Sequence, residues 1–306
     1  MTATYSTAII GAGPAGIAAS IQLARGGTDF VIFEKGSMGG LLNNAFLVEN
    51  YPGFPDGISG PELVKLFKRQ FDKYAIELIK SEVEKVDYKD CLFRIETAQR
   101  VFMAVTLIVA SGSSPRPLES AVIDAGAMER IFYEITPIID ETGKNVAIIG
   151  GGDTACDYAL NLARQNKIFL IQRNSESRCA IPLAERARIH SNITRCSGYI
   201  IKNIVRHSDG RLGIECAGHP ADTFPPFDYV VIGIGRNPCD TFLSYNIMNR
   251  MIELESDGLL HRIGDVANGR YRQTAIACGD GLLAAMKIHE KLRDSIHENN
   301  RTYRRQ

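Results

Sequence analysis

The chain has 306 residues, which is enough for two ordinary domains with buried cores. Its 45% hydrophobic and 23% charged residues are typical of a soluble globular protein, and 35 basic residues balance 35 acidic ones. This balance argues against a nucleic-acid partner or a membrane surface, and no apolar run is long enough to cross a bilayer. The first strand is expected to begin by about Tyr5, which leaves no room for a signal peptide, so we expect a cytoplasmic protein.

Residues 8–34 read as a strand, a glycine turn, a helix and a second strand that ends in an acid. Gly11 permits a tight turn, Gly13 lets the backbone approach a pyrophosphate, and Gly16 lets the helix pack closely on the strand. Phosphates favour a helix N-terminus because its unpaired N–H groups and its dipole attract negative charge. Glu34 is placed to bind an adenosine ribose, so the stretch predicts a dinucleotide site rather than an ordinary glycine-rich turn.

The same unit occurs a second time. Residues 147–152 repeat residues 8–13, and in an ungapped alignment of the two copies Arg173 falls on Glu34. An acid at this position suits an unmodified ribose, as in FAD or NAD, whereas a cation suits the 2′-phosphate of NADP. Two dinucleotide sites of opposite charge therefore predict a flavin enzyme that is reduced by a nicotinamide.

The order of the motifs predicts two α/β domains, both Rossmann-like with three layers. We expect an FAD-binding domain formed by residues 1–115 and 241–306, with an NAD(P)H-binding domain at 116–240 inserted into it. Residues 113–118 are rich in serine and proline and predict a hinge. Ser59, followed by Glu62, predicts the start of a capped helix.

Six motifs together resemble the low-molecular-weight thioredoxin reductase family, class II of the pyridine nucleotide-disulphide oxidoreductases. They are GAGPAG, residues 48–55 (VENYPGFP), GISGPEL, GGGDTA, IGDV, and YRQ followed by GDG. Thioredoxin-reductase-like ferredoxin–NADP reductases share this architecture. The resemblance covers nearly the whole chain and implies FAD in the discontinuous domain, NADPH in the insert and a homodimer.

The resemblance also implies which residues bind FAD. Asn50 is expected beside the isoalloxazine ring, Asp265 at the ribityl chain, and Arg272 and Gln273 at the flavin edge where reduction builds negative charge. A loop-capping Asn50 and a turn-forming Asp265 are the alternative interpretations. The full set is Gly11, Gly13, Pro14, Ala15, Gly16, Glu34, Lys35, Gly39, Gly40, Leu41, Asn50, Val83, Ala110, Ser111, Gly112, Gly264, Asp265, Arg272, Gln273 and Thr274.

For the nucleotide, two arginines of the family's three-arginine fingerprint are present, in the stretch QRNSESR. We therefore expect NADPH, with NADH or a vestigial site as alternatives. The implied NADP-binding residues are Gly150, Gly152, Asp153, Thr154, Ala155, Arg173, Arg178, Gly233 and Gly235.

Residues 129–140 occupy the place of the family's C-x-x-C dithiol but contain no cysteine. Disulfide exchange needs an attacking thiolate and a resolving thiol, so the usual thioredoxin chemistry is in doubt. The seven cysteines are scattered and lack zinc spacing, and we interpret them as free, mostly buried thiols with no metal site. Cys156 and Cys278 are the nearest substitutes, and a packed thiol is the simpler interpretation of each.

We therefore predict an FAD-dependent NAD(P)H oxidoreductase that passes electrons to an external acceptor such as ferredoxin, flavodoxin or a quinone. A small acidic redox protein is one such acceptor. No side chain is assigned as catalytic, because hydride transfer between the cofactors needs no acid, base or nucleophile. The alternatives are a thioredoxin or disulfide reductase that uses a lone or partner-supplied thiol, and a redox sensor that holds FAD without turnover.

Overall fold

The computed structural model describes residues 4–175 and 179–303, with side chains as far as residue 294. These residues form two compact units. The first unit comprises the described residues through Asn43, then Val48–Ser113, and those from Pro238 onward. The second unit comprises Asn44–Leu47 and Ser114–Asn237, and nothing in the sequence pattern assigned the short segment 44–47 to it.

The structure contains seventeen strands among the described residues, most of them formed by apolar or alternating stretches. In chain order they are β1 (Thr4–Ile10), β2 (Phe30–Glu34), β3 (Leu78–Lys80), β4 (Val83–Lys89), β5 (Leu92–Thr97), β6 (Val101–Val109), β7 (Ser113–Pro115), β8 (Val122–Ile123), β9 (Ile131–Phe132), β10 (Asn145–Ile149), β11 (Lys167–Gln172), β12 (Ile193–Ser197), β13 (Ile201–Arg206), β14 (Leu212–Cys216), β15 (Tyr229–Ile232), β16 (Arg236–Pro238) and β17 (Leu260–Arg262).

The helices are α1 (Pro14–Arg25), α2 (Gly60–Asp72), α3 (Asp153–Leu162), α4 (Ile181–Ile189), α5 (Tyr245–Asn249), α6 (Met251–Ser256) and α7 (Thr274–Tyr303). Short 3-10 turns lie at Gly40–Asn44, Ala125–Arg130, Thr136–Ile138 and Gly264–Val266. The predicted cap of α2 is confirmed, because the Ser59 hydroxyl accepts a hydrogen bond from the Glu62 amide at 3.4 Å.

In the sheet of the first unit, β1 lies between β2 and β6, and the three strands run parallel. Ile10 is aligned with Phe33 on one side and with Val109 on the other, so these strands end level. The other edge of β6 pairs with β5 in its first half and with β17 in its second half. Ligands of open parallel sheets bind outside the carboxyl ends of the strands, so this level edge is where a site is expected.

Both faces of this sheet are covered, which explains why the last three residues of β1 and nearly all of β6 are apolar. On one face, Ile9 and Ile32 lie in a buried cluster with residues of α1 and α7. On the other face, Phe33 lies in a cluster with residues of β4, β5, α5 and α6. The first unit is therefore built in three layers.

The second unit repeats this plan with a five-stranded parallel sheet in the order β12-β11-β10-β15-β9. Ile148 faces a cluster formed with α3 and α4, while Ile149 faces a cluster formed with the small sheet β14-β13-β8. Ile149 is aligned with Ile171 and with Ile232, so these strands also end level at one edge. The predicted mixed α/β class with parallel sheets is confirmed.

Some elements differ from the sequence-based expectation. The prediction did not include the short helices α4, α5 and α6, and residues 113–115 of the predicted hinge form strand β7. Most cysteines are not buried: Cys156, Cys179 and Cys216 are, whereas the other four are partly or fully exposed. Among the helices that the structure describes, none is long and apolar enough to span a membrane.

Two glycines of α7 provide a test of the packing between α1 and α7. An added Cβ at Gly281 would lie 2.2 Å from the backbone oxygen of Ala15, whereas one at Gly279 would meet no atom of the described residues within 4 Å. We expect Gly281→Ala to destabilise the fold by about 2–3 kcal/mol through overpacking. Gly279→Ala should be neutral or stabilise it by up to about 1 kcal/mol, because alanine favours helix. Thermal unfolding of the two variants measures the difference, and equal midpoints would contradict this packing.

Candidate functional site

The first cradle is formed by Gly11, Gly13, Gly16 and Glu34, at the level edge of the first unit's sheet. Gly11 has a φ of +104°, and an added Cβ would lie 2.3 Å from the Ala110 carbonyl oxygen. A Cβ at Gly16 would lie 1.9 Å from the Gly11 oxygen. These two glycines are therefore required by the close approach of α1 to the strands.

Gly13 differs from both, because no atom of the described residues lies within 4 Å of a Cβ built on it. It is the N-cap of α1, and no side chain of the described part caps the helix there. The first amides of a helix have no intrahelical partner and favour an anion. The open position at Gly13 and the uncapped helix start together fit a pyrophosphate.

Glu34 lies at the end of β2, beside the glycine turn. Its carboxylate accepts hydrogen bonds from the amides of Ala12 and Gly36, each at 2.7 Å. Both bonds fix the orientation of the side chain, and each carboxylate oxygen keeps a second lone pair for another donor. A ribose hydroxyl is a donor of the expected kind.

A cleft of about 230 Å³ lies beside Gly11 and Glu34. Val83 and Phe242 supply apolar walls, and Ser111 and Lys35 supply polar groups. Lys35 forms an ion pair with Glu82 at 2.9 Å at the exposed rim. This mixture of apolar walls and few polar groups is typical of a small-molecule site, and it suits the adenosine end of FAD.

Loops from distant parts of the first unit meet at the start of α1. The Gly39 amide donates to the Ala12 oxygen at 2.8 Å, and a Cβ at Gly40 would lie 3.6 Å from the Gly13 Cα. From the C-terminal part of the chain, a Cβ at Gly264 would lie 3.0 Å from the Ala15 side chain. Leu41 and Asp265 belong to the 3-10 turns that follow these contacts, and their role in FAD binding stays a prediction.

The predicted isoalloxazine contacts also lie together. The Asn50 side-chain amide donates to the Gln273 side-chain oxygen at 2.8 Å, directly before Thr274 begins α7. Asn50 therefore pairs with Gln273 rather than capping its own loop. Arg272 is half-buried next to Gln273.

The remaining FAD candidates lie on the connection after β6. The Ala110 amide donates to the Ile10 oxygen at 2.8 Å, and the Gly112 oxygen accepts from the Cys239 amide at 3.1 Å. The Ser111 hydroxyl donates to the Cys239 carbonyl oxygen. These bonds hold residues 110–112, which follow β6, against Cys239, which follows β16, and both segments lie beside the cleft.

Cys278 lies on α7, with its thiol near the Pro14 carbonyl oxygen at 3.8 Å and hydrogen-bonded with Tyr51. Burial raises the pKa of Cys278 to about 11, and burial together with this thiol raises the pKa of Tyr51 to about 12. The thiolate is the reactive form of cysteine, so Cys278 is a poor nucleophile at neutral pH.

The second cradle is formed by Gly150, Gly152 and Arg173, at the level edge of the second unit's sheet. A Cβ at Gly150 would lie 2.2 Å from the Gly233 oxygen, so this glycine is required by packing. A Cβ at Gly152 would meet nothing within 4 Å in the part of the chain that the structure describes. Gly152 is the N-cap of α3, and no described side chain caps that helix. The arrangement of the first cradle is thus repeated.

Asp153, Thr154 and Ala155 form the first turn of α3, with Asp153 and Thr154 exposed. The Asp153 carboxylate accepts from the Ala180 amide at 2.7 Å, which ties the start of α4 to the start of α3. Gly235 is exposed with a φ of +118°.

Arg173 follows β11 directly and is exposed, as a residue that contacts a 2′-phosphate must be. Arg178, its expected companion, lies outside the described residues. Gln172, the last residue of β11, is 4% exposed, and its amide nitrogen donates to the Ser197 hydroxyl at 2.8 Å. Its Oε1 atom has no hydrogen-bond partner among the described residues and lies beside the turn, 2.9 Å from a Cβ built on Gly151.

A buried oxygen without a partner is costly, so a hydroxyl or amide of a bound nucleotide would complete this arrangement. The second cradle therefore fits a dinucleotide. Sequence reasoning missed Gln172 as a site residue. The available signal was its position immediately before Arg173.

Residues 129–140, where the family resemblance implies a dithiol, contribute Glu134 to a polar cluster. The Glu134 carboxylate forms an ion pair with Arg236 at 2.6 Å and accepts from the Tyr158 hydroxyl at 2.5 Å. It also accepts from the Asn44 side-chain amide at 2.9 Å. Burial and the Glu134 charge raise the pKa of Tyr158, so the phenol stays protonated and donates.

Cys156 is a packed thiol, as expected, and is 2% exposed. Cys179 lies in the same buried cluster, a neighbour that the sequence pattern did not indicate. Among the described residues, no group of three or more histidine, cysteine, aspartate or glutamate side chains has a geometry that suits a metal ion.

Comparisons with known proteins agree with this geometry. The family model described as pyridine nucleotide-disulphide oxidoreductase matches residues 5–281. The chain is 27% identical to thioredoxin reductase of Helicobacter pylori, covering 92% of the chain and 96% of that protein. It is also 27% identical to NADPH-dependent thioredoxin reductase 3 of Arabidopsis thaliana, covering 93% of the chain but only 58% of that longer protein.

Among solved structures, Lactococcus lactis thioredoxin reductase superimposes with a TM-score of 0.81 at 25% identity, covering 94% of the chain and 98% of that structure. The chain therefore belongs to the pyridine nucleotide-disulphide oxidoreductase family. Within that family, its fold is that of the thioredoxin reductases.

Proposed function

We propose that the first unit binds FAD, the second unit binds NADPH, and the chain passes electrons from NADPH through FAD to an external acceptor. The observation that carries this proposal is the pair of cradles with opposite charge at the ribose-reading position. Glu34 lies at the end of β2 in one cradle, and Arg173 lies just after β11 in the other. An anion suits a free ribose and a cation suits a 2′-phosphate.

When bound, the two cofactors supply the hydride donor and the hydride acceptor. The protein's own residues bind and orient them. The uncapped start of α1 holds a pyrophosphate, and Glu34 accepts from a ribose hydroxyl. The Asn50–Gln273 pair and the first amides of α7 would hold the flavin edge, where N–H donors would stabilise negative charge.

Among the candidate electron acceptors, we favour a disulfide. Relatives that align over more than 90% of this chain are named thioredoxin reductases. Because residues 129–140 contain no cysteine, the thiol chemistry has to come from the substrate, a partner or another cysteine of the chain. That partner is then a small redox protein.

A direct electron acceptor, such as ferredoxin, flavodoxin or a quinone, is the second candidate. The lack of cysteine in residues 129–140 favours it, because a direct acceptor needs no dithiol relay. An FAD-holding redox sensor without turnover is the third hypothesis. The homodimer and the cytoplasmic location stay predictions.

The test mixes the purified flavoprotein with NADPH or NADH under anaerobic conditions in a stopped-flow instrument. We expect rapid bleaching of the flavin absorbance with NADPH and slower bleaching with NADH. No bleaching by either nucleotide, with flavin bound, would contradict turnover and favour the sensor. Steady-state assays with thioredoxin, an aromatic disulfide, ferredoxin and a quinone then rank the acceptors.

A further inference from the structure

The second unit brings two cysteines together that are far apart in the sequence. Cys156 lies in the first turn of α3, and Cys179 lies two residues before α4. The hydrogen bond from the Ala180 amide to the Asp153 carboxylate, at 2.7 Å, holds the backbone of the Cys179 segment against that turn. The two residues belong to one buried cluster, together with Ala155 and Ala187.

The two thiols are neighbours within this cluster, and the Asp153 carboxylate lies next to the Cys179 thiol. The exposed fraction is 2% for Cys156 and 8% for Cys179. A disulfide requires two Cβ atoms that are close and directed at each other. The shared cluster and the Ala180–Asp153 hydrogen bond keep the two cysteines adjacent, as the first requirement demands.

We propose that Cys156 and Cys179 are an oxidisable dithiol that forms a reversible disulfide within the second unit. It lies outside residues 129–140, so it is a different pair from the one that the family resemblance implies. It goes beyond the proposed electron transfer, and nothing in that reaction requires it.

Hydrogen peroxide is an oxidant small enough for this buried pair. The Cys179 sulfur, which is the more exposed, attacks one peroxide oxygen to give a sulfenic acid and one water. The Cys156 sulfur then displaces the sulfenic hydroxyl, which leaves with the Cys156 proton as a second water. The two thiols have lost two protons and two electrons, and one peroxide has become two waters.

The environment of Cys179 indicates that the thiol is oxidised slowly and that the resulting disulfide is reduced slowly. The Cys156 thiol, burial and the Asp153 charge raise the pKa of Cys179, which leaves little thiolate at neutral pH. The same high pKa makes the thiol a poor leaving group, so the disulfide resists monothiols and calls for a dithiol reductant. The crosslink closes a loop that contains β11 and Arg173.

The test treats the flavin-loaded protein with hydrogen peroxide, alkylates the remaining thiols after denaturation, and maps the peptides by mass spectrometry. We expect a peptide pair that links Cys156 to Cys179, with two fewer alkylated sites among the seven cysteines. Dithiothreitol should restore both sites. The oxidised protein should unfold about 5 °C higher, because the crosslink restricts the unfolded chain.

Cys179→Ser should abolish the linked peptide and the thermal shift, while Cys216→Ser is the matched control. Cys216 is buried in the same unit and belongs to a different buried cluster from Cys156 and Cys179. Full alkylation of Cys156 and Cys179 after oxidation, sulfinic acid without a crosslink, or a crosslink to another cysteine would overturn the proposal. The readout is the mass of the peptides, so failure of NADPH turnover leaves the result intact.

Discussion

Gly13→Asp is expected to give a folded protein that contains no FAD. Gly13 has an ordinary φ of −73°, and a Cβ there meets no atom of the described chain within 4 Å, so the backbone accepts the side chain. The new carboxylate would lie at the start of α1, where the pyrophosphate is proposed to bind. Like charges placed together cost several kcal/mol, so we expect at least about a 100-fold loss of FAD affinity. The ratio of flavin to protein absorbance measures it, with circular dichroism as the check on folding.

The matched control is Gly152→Asp. Gly152 has a φ of −102° and the same open surroundings within the described residues, but it lies in the second cradle. This variant should keep its flavin, resist reduction by NADPH, and still be bleached by a chemical reductant. A Gly13→Asp protein with a full complement of flavin, or a flavin-free Gly152→Asp protein, would reverse the assignment of the two cradles.

Arg173→Glu is expected to reduce the preference for NADPH over NADH. Charge-assisted hydrogen bonds to phosphate are among the strong ones, and a glutamate replaces attraction by repulsion. We expect KM for NADPH to rise about 10- to 100-fold, corresponding to about 1.4–2.8 kcal/mol, with a much smaller change for NADH. Steady-state kinetics with both nucleotides and one acceptor give the ratio.

Arg188→Glu is the control for this charge reversal. Arg188 is an exposed arginine of the same unit, lies on α4, and pairs with Glu185 at 2.9 Å. A surface ion pair of this kind contributes little to stability, and Arg188 is not a predicted nucleotide contact. Both KM values should therefore stay within about twofold of the unmodified protein. Equal losses for NADPH and NADH in Arg173→Glu would indicate that this residue does not read the 2′-phosphate.

The two cradles were predictable because their determinants are local. The spacing of Gly11, Gly13 and Gly16 fixes a turn and a helix start within a few residues, and Glu34 ends the next strand. The helix cap at Ser59 was predictable for the same reason. In each case one short stretch contains both the signal and its consequence.

The features that were missed depend on residues far apart in the chain. The ion pair of Glu134 with Arg236 and the contact of Cys156 with Cys179 exist because the strands of the second unit bring these segments together. The hydrophobic pattern of one segment does not indicate which distant residues will contact it in the folded chain. Helix α4 was missed because it buries little, with Ala187 as its buried residue and Ile181 and Ile189 exposed.

The open position at Gly13 also bears on how such motifs change over time. Gly11 and Gly16 are fixed by contacts with backbone oxygens, so any chain that keeps this fold has to keep them. No backbone contact within the described residues excludes a side chain at Gly13, so only the bound ligand would require a glycine there. A descendant that lost its flavin would therefore preserve the outer glycines and become free to vary the middle one, which makes that single position a marker of cofactor loss in related genomes.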